Sequence, residues 1–178
     1  VGPQHGGLFK IMNASLVVKD DLERIIKDLK DDLLNLNESR FLITGAGGFL
    51  GYYLVNVLVY WNAKNPDNKI QIYACDNFLR GRPQWLEKLE ELNELVLIEH
   101  DITRPFPKKI GNFEYIIHAA SIASPTFYRK YPIETMDANV NGLRLILDRC
   151  LDDKSTKGLL YFSTSEIYGD PFKDDIPT

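Results

Sequence analysis

Residues 41–51 read FLITGAGGFLG, and they outline the first structural unit of the chain. The run from Phe41 to Ile43 is short and apolar, which is typical of a buried strand. A glycine-rich turn follows, and from Phe49 to Trp61 the apolar residues recur at helical spacing. This order of strand, glycine turn and helix predicts a phosphate-binding site, because the new helix directs free N–H groups and the positive end of its dipole at the turn.

Three glycines of the turn have separate expected roles. Gly45 allows a tight reversal out of the strand, and the missing Cβ of Gly48 lets a pyrophosphate approach the backbone. Gly51 is expected to let the helix lie close against the sheet. The spacing Gly45-x-x-Gly48-x-x-Gly51 differs from the G-x-G-x-x-G of simpler dehydrogenases. A glycine-rich turn without a ligand is the alternative interpretation, and the rest of the chain disfavours it.

Composition limits the classes of function. The 178 residues carry a net charge of −4 and are 44% hydrophobic, which indicates one domain with a real core and argues against a basic nucleic-acid surface. Cys75 and Cys150 lack metal-ligand or C-x-x-C spacing, so reduced, buried thiols are expected and no metal site. There is no secretory signal and no long apolar run, so we expect a cytoplasmic protein without membrane contact.

The chain divides into three expected regions. Residues 1–19 are expected to be a tail, either a tag remnant or a mobile segment. Residues 20–37 have apolar side chains at helical spacing and predict an amphipathic helix, capped by Asp20 or Asp21, that packs against the edge or base of the sheet. A partner-binding helix is the alternative. Residues 38–178 are expected to form a dinucleotide-binding domain.

Strand and helix patterns alternate through this domain. Strands are expected at 41–43, 70–75, 95–99, 115–119 and 158–163, and helices at 49–61, 81–92 and 132–151. Such alternation predicts an α/β fold, a Rossmann-like doubly wound parallel sheet with helices on both faces and strand order 3-2-1-4-5.

Asp76 ends the second predicted strand, 25 positions after Gly51 (76 − 51). A carboxylate at this place can accept both ribose hydroxyls and would repel a 2′-phosphate, so it predicts NAD rather than NADP as the cofactor. Arg80 and Arg82 follow closely and could reverse that choice. A role for Asp76 as a helix cap or loop residue is the alternative.

Several segments together resemble the extended short-chain dehydrogenase/reductases, the NAD-dependent epimerase/dehydratase family. They are TGAGGFLG at 44–51, DNFLRG at 76–81, HDIT at 100–103 and HAAS at 118–121. In that family the aspartate of the third segment meets the adenine amino group and the next apolar residue covers the ring, which implies these roles for Asp101 and Ile102. We expect His118 to be structural and buried at the strand end, and a general-base role is the alternative. The implied cofactor-binding residues are Gly45, Gly48, Phe49, Leu50, Gly51, Asp76, Asn77, Asp101, Ile102, Ala119, Ala120, Ser121 and Asn139.

A narrower resemblance covers HAASIASPTFYRKYP at 118–132, NVNG at 139–142 and STSEIYGDP at 163–171. These segments are similar to the UDP-glucuronate decarboxylase (UDP-xylose synthase) group, which implies decarboxylation through a 4-keto intermediate. The implied substrate-binding residues are Ser124, Pro125 and Tyr128. The implied catalytic residues are Thr164, Ser165 and Glu166. Thr164 would bind the 4-hydroxyl of the sugar and Glu166 would act near C5, whereas 4,6-dehydratases usually carry aspartate where this chain has Ser165.

One feature of the family, a Tyr-x-x-x-Lys pair beyond the segment at 163–171, is absent from these 178 residues. Pro132 follows Tyr128, Ser165 follows Tyr161 and Phe172 follows Tyr168 at that distance. Tyr60 and Lys64 have this spacing, but they lie well before that segment. We therefore expect an inactive N-terminal part of a longer enzyme that is a homodimer and binds a UDP-sugar. A nucleotide-sugar 4-epimerase or 4,6-dehydratase and a non-catalytic dinucleotide-binding module are the alternatives.

Overall fold

The computed structural model describes residues 16–107 and 110–169. Its five strands, β1 to β5, are Arg40–Thr44, Gln71–Asp76, Val96–Glu99, Tyr115–His118 and Gly158–Tyr161. Its α-helices, α1 to α7, are Leu16–Asp28, Lys30–Asn35, Phe49–Lys64, Gln84–Glu91, Pro125–Lys130, Pro132–Met136 and Leu143–Asp152. A π-helix, Asp137–Gly142, joins α6 to α7, and a 3₁₀ helix, Ser165–Tyr168, follows β5.

The sheet is parallel throughout and has the order β3-β2-β1-β4-β5. In the middle strand, Phe41 lies opposite Ile72 on one side and Tyr115 on the other. Because β1 has a strand on each side and helices over both faces, its residues 41–44 are all buried. The predicted fold class and strand order are confirmed.

The two faces of the sheet have separate cores. Phe41 and Ile43 of β1 pack with Val55 and Val59 of α3 and with Leu86 of α4. The alternating residue Leu42 points to the other face and packs with Ile116 of β4 and Ile146 of α7. Helices therefore cover both faces, as predicted.

The segment before the sheet differs from the predicted single helix. It begins at Leu16 and breaks at Leu29, so Asp20 and Asp21 lie inside α1 and do not cap it. Leu22 of α1 is fully buried against Tyr60, on the outer surface of α3 rather than on the sheet. The main core receives Leu33 of α2 and, at its margin, the partly buried Ile26 of α1. The two helices therefore reach the predicted core at one end, while the rest of α1 covers the apolar outer surface of α3.

Other helix bounds shift for local reasons. The helix predicted from Gly81 begins at Gln84, since Gly81 has a φ of +89° and Pro83 has an extended backbone. The helix predicted over 132–151 contains the π-helix, which periodicity alone does not reveal. The C-terminal end of α3 is fixed to the next strand by Asn62, whose side chain donates to the carbonyl of Ile70 and accepts from its N–H, both at 2.8 Å. Within the described ranges, no helix has the length and apolarity to cross a membrane.

Candidate functional site

The predicted site residues follow the carboxyl ends of the strands. Gly45 comes directly after β1, Asp76 ends β2, Asp101 follows β3, Ala119 follows β4 and Thr164 follows β5. Since all five strands run in the same direction, these positions share one edge of the sheet. Open α/β sheets bind ligands at this edge, next to the strand where the order reverses.

The first turn is built tightly around Gly45. Its φ is +71°, and a Cβ there would lie 2.6 Å from the carbonyl oxygen of Ala119 and 2.7 Å from the Cα of Ala120. Both the backbone angle and the space therefore require glycine. This contact brings the segment after β4 directly against the glycine turn.

Gly48 is the residue before the first turn of α3. Its φ of −82° is ordinary, and among the described atoms a Cβ would meet only the carbonyl oxygen of Gly45, at 3.2 Å. The N-terminus of α3 is therefore open on its outer side, flanked by Phe49 and Leu50, which are 81% and 44% exposed. This is the space where the sequence predicts a pyrophosphate.

Gly51 has a different neighbour from the one expected. A Cβ there would lie 2.4 Å from the carbonyl oxygens of both Gly45 and Ala46. The residue thus allows α3 to pack against the turn itself, whereas the sequence predicted close packing against the sheet. The reason is that the chain reverses so sharply at Gly45 that the turn carbonyls lie between the helix and β1.

The Asp76 carboxylate lies beside the same turn. Its Oδ2 accepts from the N–H of Gly47 at 3.0 Å and its Oδ1 accepts from the N–H of Phe78 at 2.9 Å. Each oxygen can accept a further bond, so both remain available to ribose hydroxyls. Gly47 had no predicted role, although it is the extra glycine in GAGG. A Cβ at Gly47 would come within 3.2 Å of Asp76 Oδ2.

The two arginines near Asp76 already have partners. Arg82 forms an ion pair with Glu99 at the end of β3 and lies 5.0 Å from the ring centre of Phe78. Its pKa is raised, chiefly by the hydrogen bond to Glu99. The guanidinium of Arg80 lies 5.4 Å from the ring centre of Phe127 in α5. Both partners compete with a 2′-phosphate for these cations.

Asn77 is part of the same loop, where its Oδ1 accepts from the N–H of Leu79 at 3.1 Å.

The turn after β3 places Asp101 and Ile102. Asp101 Oδ1 accepts from the N–H and from the hydroxyl of Thr103, at 3.0 and 2.8 Å. Ile102 is 7% exposed, and it contacts Gly142 at the end of the π-helix. Asn139, another predicted cofactor residue, lies half-buried in that π-helix.

His118 ends β4 in a buried position, in agreement with the structural role expected from the sequence. It is 1% exposed, its Nδ1 lies 2.7 Å from Thr44 Oγ1, and its ring stacks on Tyr161 with 5.5 Å between centres. Burial lowers its pKa to about 4, so the ring is neutral at pH 7. Among the described residues, Nε2 has no hydrogen-bond partner. The sequence did not reveal the bond to Thr44, since 74 positions separate the two residues.

The predicted substrate and catalytic residues follow β4 and β5. Ser124 precedes α5, and Pro125 and Tyr128 lie within it. Thr164 is exposed, and Ser165 and Glu166 belong to the 3₁₀ helix. The remaining predicted residue of the segment after β4, Ser121, is exposed. The Asp170 and Pro171 of the STSEIYGDP segment and the predicted tail up to residue 15 lie outside the described residues. The roles of all these residues stay predictions.

Comparison with known proteins identifies relatives of this architecture. Residues 41–178 match the NAD dependent epimerase/dehydratase family. UDP-glucuronic acid decarboxylase 6 of Arabidopsis thaliana is 36% identical over 132 residues, which is 74% of this chain and 35% of the relative. UDP-glucuronic acid decarboxylase 1 of Xenopus tropicalis is 30% identical over 176 residues, covering 89% of this chain and 39% of the relative.

A solved structure agrees in fold. The UDP-glucose-4-epimerase of Stenotrophomonas maltophila, with bound NAD and formylated UDP-arabinopyranose, superposes with a TM-score of 0.60 and 17% identity over 78% of this chain and 40% of the epimerase. The chain thus spans somewhat over a third of the length of these relatives. The glycine turn, the strand order and the match over residues 41–178 lead to one conclusion: the chain belongs to the NAD-dependent epimerase/dehydratase family.

Proposed function

We propose that this chain is the cofactor-binding part of an enzyme that decarboxylates UDP-glucuronate to UDP-xylose through a 4-keto intermediate. The observation that carries the proposal is the 36% identity to a UDP-glucuronic acid decarboxylase over 132 residues. The resemblance of 118–132 and 163–171 to this group supports the same substrate.

The family confirms NAD, the cofactor that Asp76 predicted. The open N-terminus of α3 at Gly48 suits the pyrophosphate, and Asp76, held by Gly47, suits the adenosine ribose. When bound, NAD accepts a hydride from the substrate and later returns it. The chain binds and orients both molecules so that the hydride donor and acceptor meet.

The proposed catalytic roles belong to the segment after β5. Thr164 donates a hydrogen bond to the oxygen on C4 of the sugar, which orients the hydroxyl and then stabilises the developing ketone. The resulting β-keto acid loses its carboxylate as CO₂, and Glu166 acts near C5 in that step. Thr164 is too weakly acidic to remove the hydroxyl proton at neutral pH, so a separate general base is required.

In this family the general base is a tyrosine made more acidic by a nearby lysine ammonium. The Tyr-x-x-x-Lys spacing that these 178 residues contain is Tyr60 and Lys64, at the C-terminal end of α3. Tyr60 is buried beneath α1 and its hydroxyl donates to Glu23, so it does not face the carboxyl ends of the strands. We therefore propose that the parent enzyme supplies this pair from outside these residues. The isolated chain is expected to bind NAD and to show no turnover.

The identity of residue 165 separates the proposal from a 4,6-dehydratase. A dehydratase needs a general acid to expel the 6-hydroxyl, and a serine hydroxyl cannot serve as that acid at neutral pH. Ser165 therefore favours decarboxylation over dehydration. A 4-epimerase would share the oxidation step and differ in its product.

The test is to incubate the full-length parent with UDP-glucuronate and to identify products by mass spectrometry. We expect UDP-pentose and CO₂, and Glu166→Gln is expected to slow CO₂ release at least tenfold while NAD binding is retained. Glu91→Gln is the matched control, because Glu91 is an exposed residue of α4 distant in sequence from the site. A 4-epimer or a 4-keto-6-deoxy sugar as product would keep the family and overturn the decarboxylase assignment. Turnover by the isolated chain would refute the need for an external base.

A further inference from the structure

Gly142 ends the π-helix and lies against the turn that follows β3. We propose that Gly142 is a positioning residue for the adenine half of NAD, acting through Ile102. The inference rests on the proposed binding of NAD and on the family resemblance, which implies that Asp101 and Ile102 meet the adenine ring.

The contact between Gly142 and Ile102 leaves no room for a side chain. A Cβ on Gly142 would lie 2.7 Å from Ile102 Cδ1 and 3.2 Å from its Cγ1. The helical backbone therefore approaches Ile102 as closely as the absence of a side chain allows, and any larger residue has to displace the isoleucine.

Backbone freedom does not explain this glycine. Gly142 has φ −58° and ψ −49°, which every residue adopts in a helix. Glycine destabilises such a position by about 1 kcal/mol relative to alanine. Because the conformation does not require glycine and its propensity opposes it, the space next to Ile102 is the remaining reason for it.

Ile102 lies next to Gly142 and outside the main cores. It is 7% exposed, yet it belongs to none of the three core clusters that the described residues form. Its neighbour Asp101 is oriented separately, by the two bonds from Thr103 to Oδ1. Asp101 Oδ2 is then free to accept from the adenine amino group while Ile102 covers the ring.

The π-helix explains how the helical segment reaches this turn. A π-turn holds one more residue than an α-turn, and such turns occur frequently at functional sites. Here the same turn contains Asn139, a predicted cofactor residue, and ends at Gly142. Gly142→Ala is expected to displace Ile102 and so to weaken recognition of the adenine ring.

The experiment compares two dinucleotides that differ at one edge of the purine, where hypoxanthine has a carbonyl in place of the adenine amino group and a hydrogen on N1. NAD and nicotinamide hypoxanthine dinucleotide are titrated by calorimetry into the 178-residue chain and its variants. We expect the wild-type chain to prefer NAD and Gly142→Ala to reduce NAD affinity about tenfold. Because a displaced Ile102 no longer holds the ring in line with Asp101 Oδ2, the bond to the amino group is also lost, and the preference for NAD over the hypoxanthine dinucleotide should narrow. A purely structural role would lower both affinities alike and leave their ratio unchanged, which would overturn the inference.

A second experiment tests whether a change at Ile102 restores the preference for NAD that Gly142→Ala reduces. Ile102→Val removes Cδ1, the atom that the new methyl group would meet first, so Gly142→Ala/Ile102→Val is expected to recover the preference for NAD. Gly158→Ala is the matched control, since its Cβ would meet only the Tyr115 ring, at 3.3 Å, among the described atoms. No recovery in the double variant would refute the action through Ile102.

A third variant separates this inference from the placement of adenine. If Asp101→Ala abolishes the preference for NAD and Gly142→Ala retains it, the inference about Gly142 is wrong and the adenine placement stands. If the wild-type chain and Asp101→Ala both bind the two dinucleotides equally, the adenine placement itself is wrong, and the inference fails with it.

Discussion

His118 should make the stability of the chain sensitive to mild acid. Its ring is fully buried, and its pKa is lowered from the ordinary 6.5 to about 4 by that burial. The unfolded chain therefore binds a proton to this group at a higher pH than the folded chain does. As pH falls from 6.5 towards 4, the His118 ring becomes protonated in the unfolded state but stays largely neutral in the folded state. The free energy of unfolding therefore decreases.

The size of the effect follows from the shift in pKa. One pKa unit corresponds to about 1.4 kcal/mol, so a shift of about 2.5 units destabilises the folded state by up to about 3 kcal/mol at pH 4. The contribution is absent above pH 6.5 and constant below about pH 4, where both states hold the proton. This is a large part of the stability of a domain of this size, which is about 5–15 kcal/mol.

His118→Asn provides the comparison. Asparagine can keep a hydrogen bond to Thr44 Oγ1 and does not titrate. Urea unfolding followed by circular dichroism, at pH 7 and at pH 4.5, gives the loss of stability on acidification for each protein. We expect the wild-type loss to exceed the variant loss by about 2–3 kcal/mol, because all other titrating groups are shared. Equal losses would refute the reasoning and show that His118 holds its proton equally well in both states.

Three further changes test other parts of the structure. Asp76→Ala should weaken NAD binding at least tenfold by calorimetry, because the ribose hydroxyls lose an ionised acceptor, and a wild-type chain that binds NADP as tightly as NAD would contradict this role. Gly48→Val should abolish NAD binding while circular dichroism remains near wild type, and unchanged affinity in the folded variant would show that the phosphates bind elsewhere. Leu22→Ala should cost about 2 kcal/mol or more in urea unfolding, since Leu22 is fully buried against Tyr60, and a loss below about 0.5 kcal/mol would show that α1 contributes little to the fold.

The sheet could be predicted because each strand is a short apolar run bounded by turn residues. Periodicity also located the helices, but it did not show where they break. Neither the break at Leu29 nor the π-helix over Asp137–Gly142 was apparent from the apolar spacing. Packing against α3 and against Ile102 accompanies these irregularities, and such contacts join residues far apart in the chain.

For the site as well, local features could be predicted from the sequence and contacts between distant residues could not. Asp76 could be assigned from its place at a strand end, because that place alone puts a carboxylate beside the glycine turn. The hydrogen bond from the N–H of Gly47 to Asp76 could not be predicted. The two residues are 29 positions apart and meet only when the turn folds back onto the end of β2. The bond between Thr44 and His118 and the contact between Gly142 and Ile102 likewise require the strands to be assembled first.

The ion pair between Arg82 and Glu99 bears on how coenzyme preference could change by mutation. Replacing Asp76 removes the repulsion towards a 2′-phosphate, but Arg82 stays attached to Glu99 and offers no compensating charge. Replacing Glu99 alone releases Arg82 while the Asp76 carboxylate still repels the phosphate. Each single change therefore corrects one of the two obstacles, and the pair of changes corrects both. A library that varies Asp76 and Glu99 together should yield tighter NADP binders than one that varies either position alone.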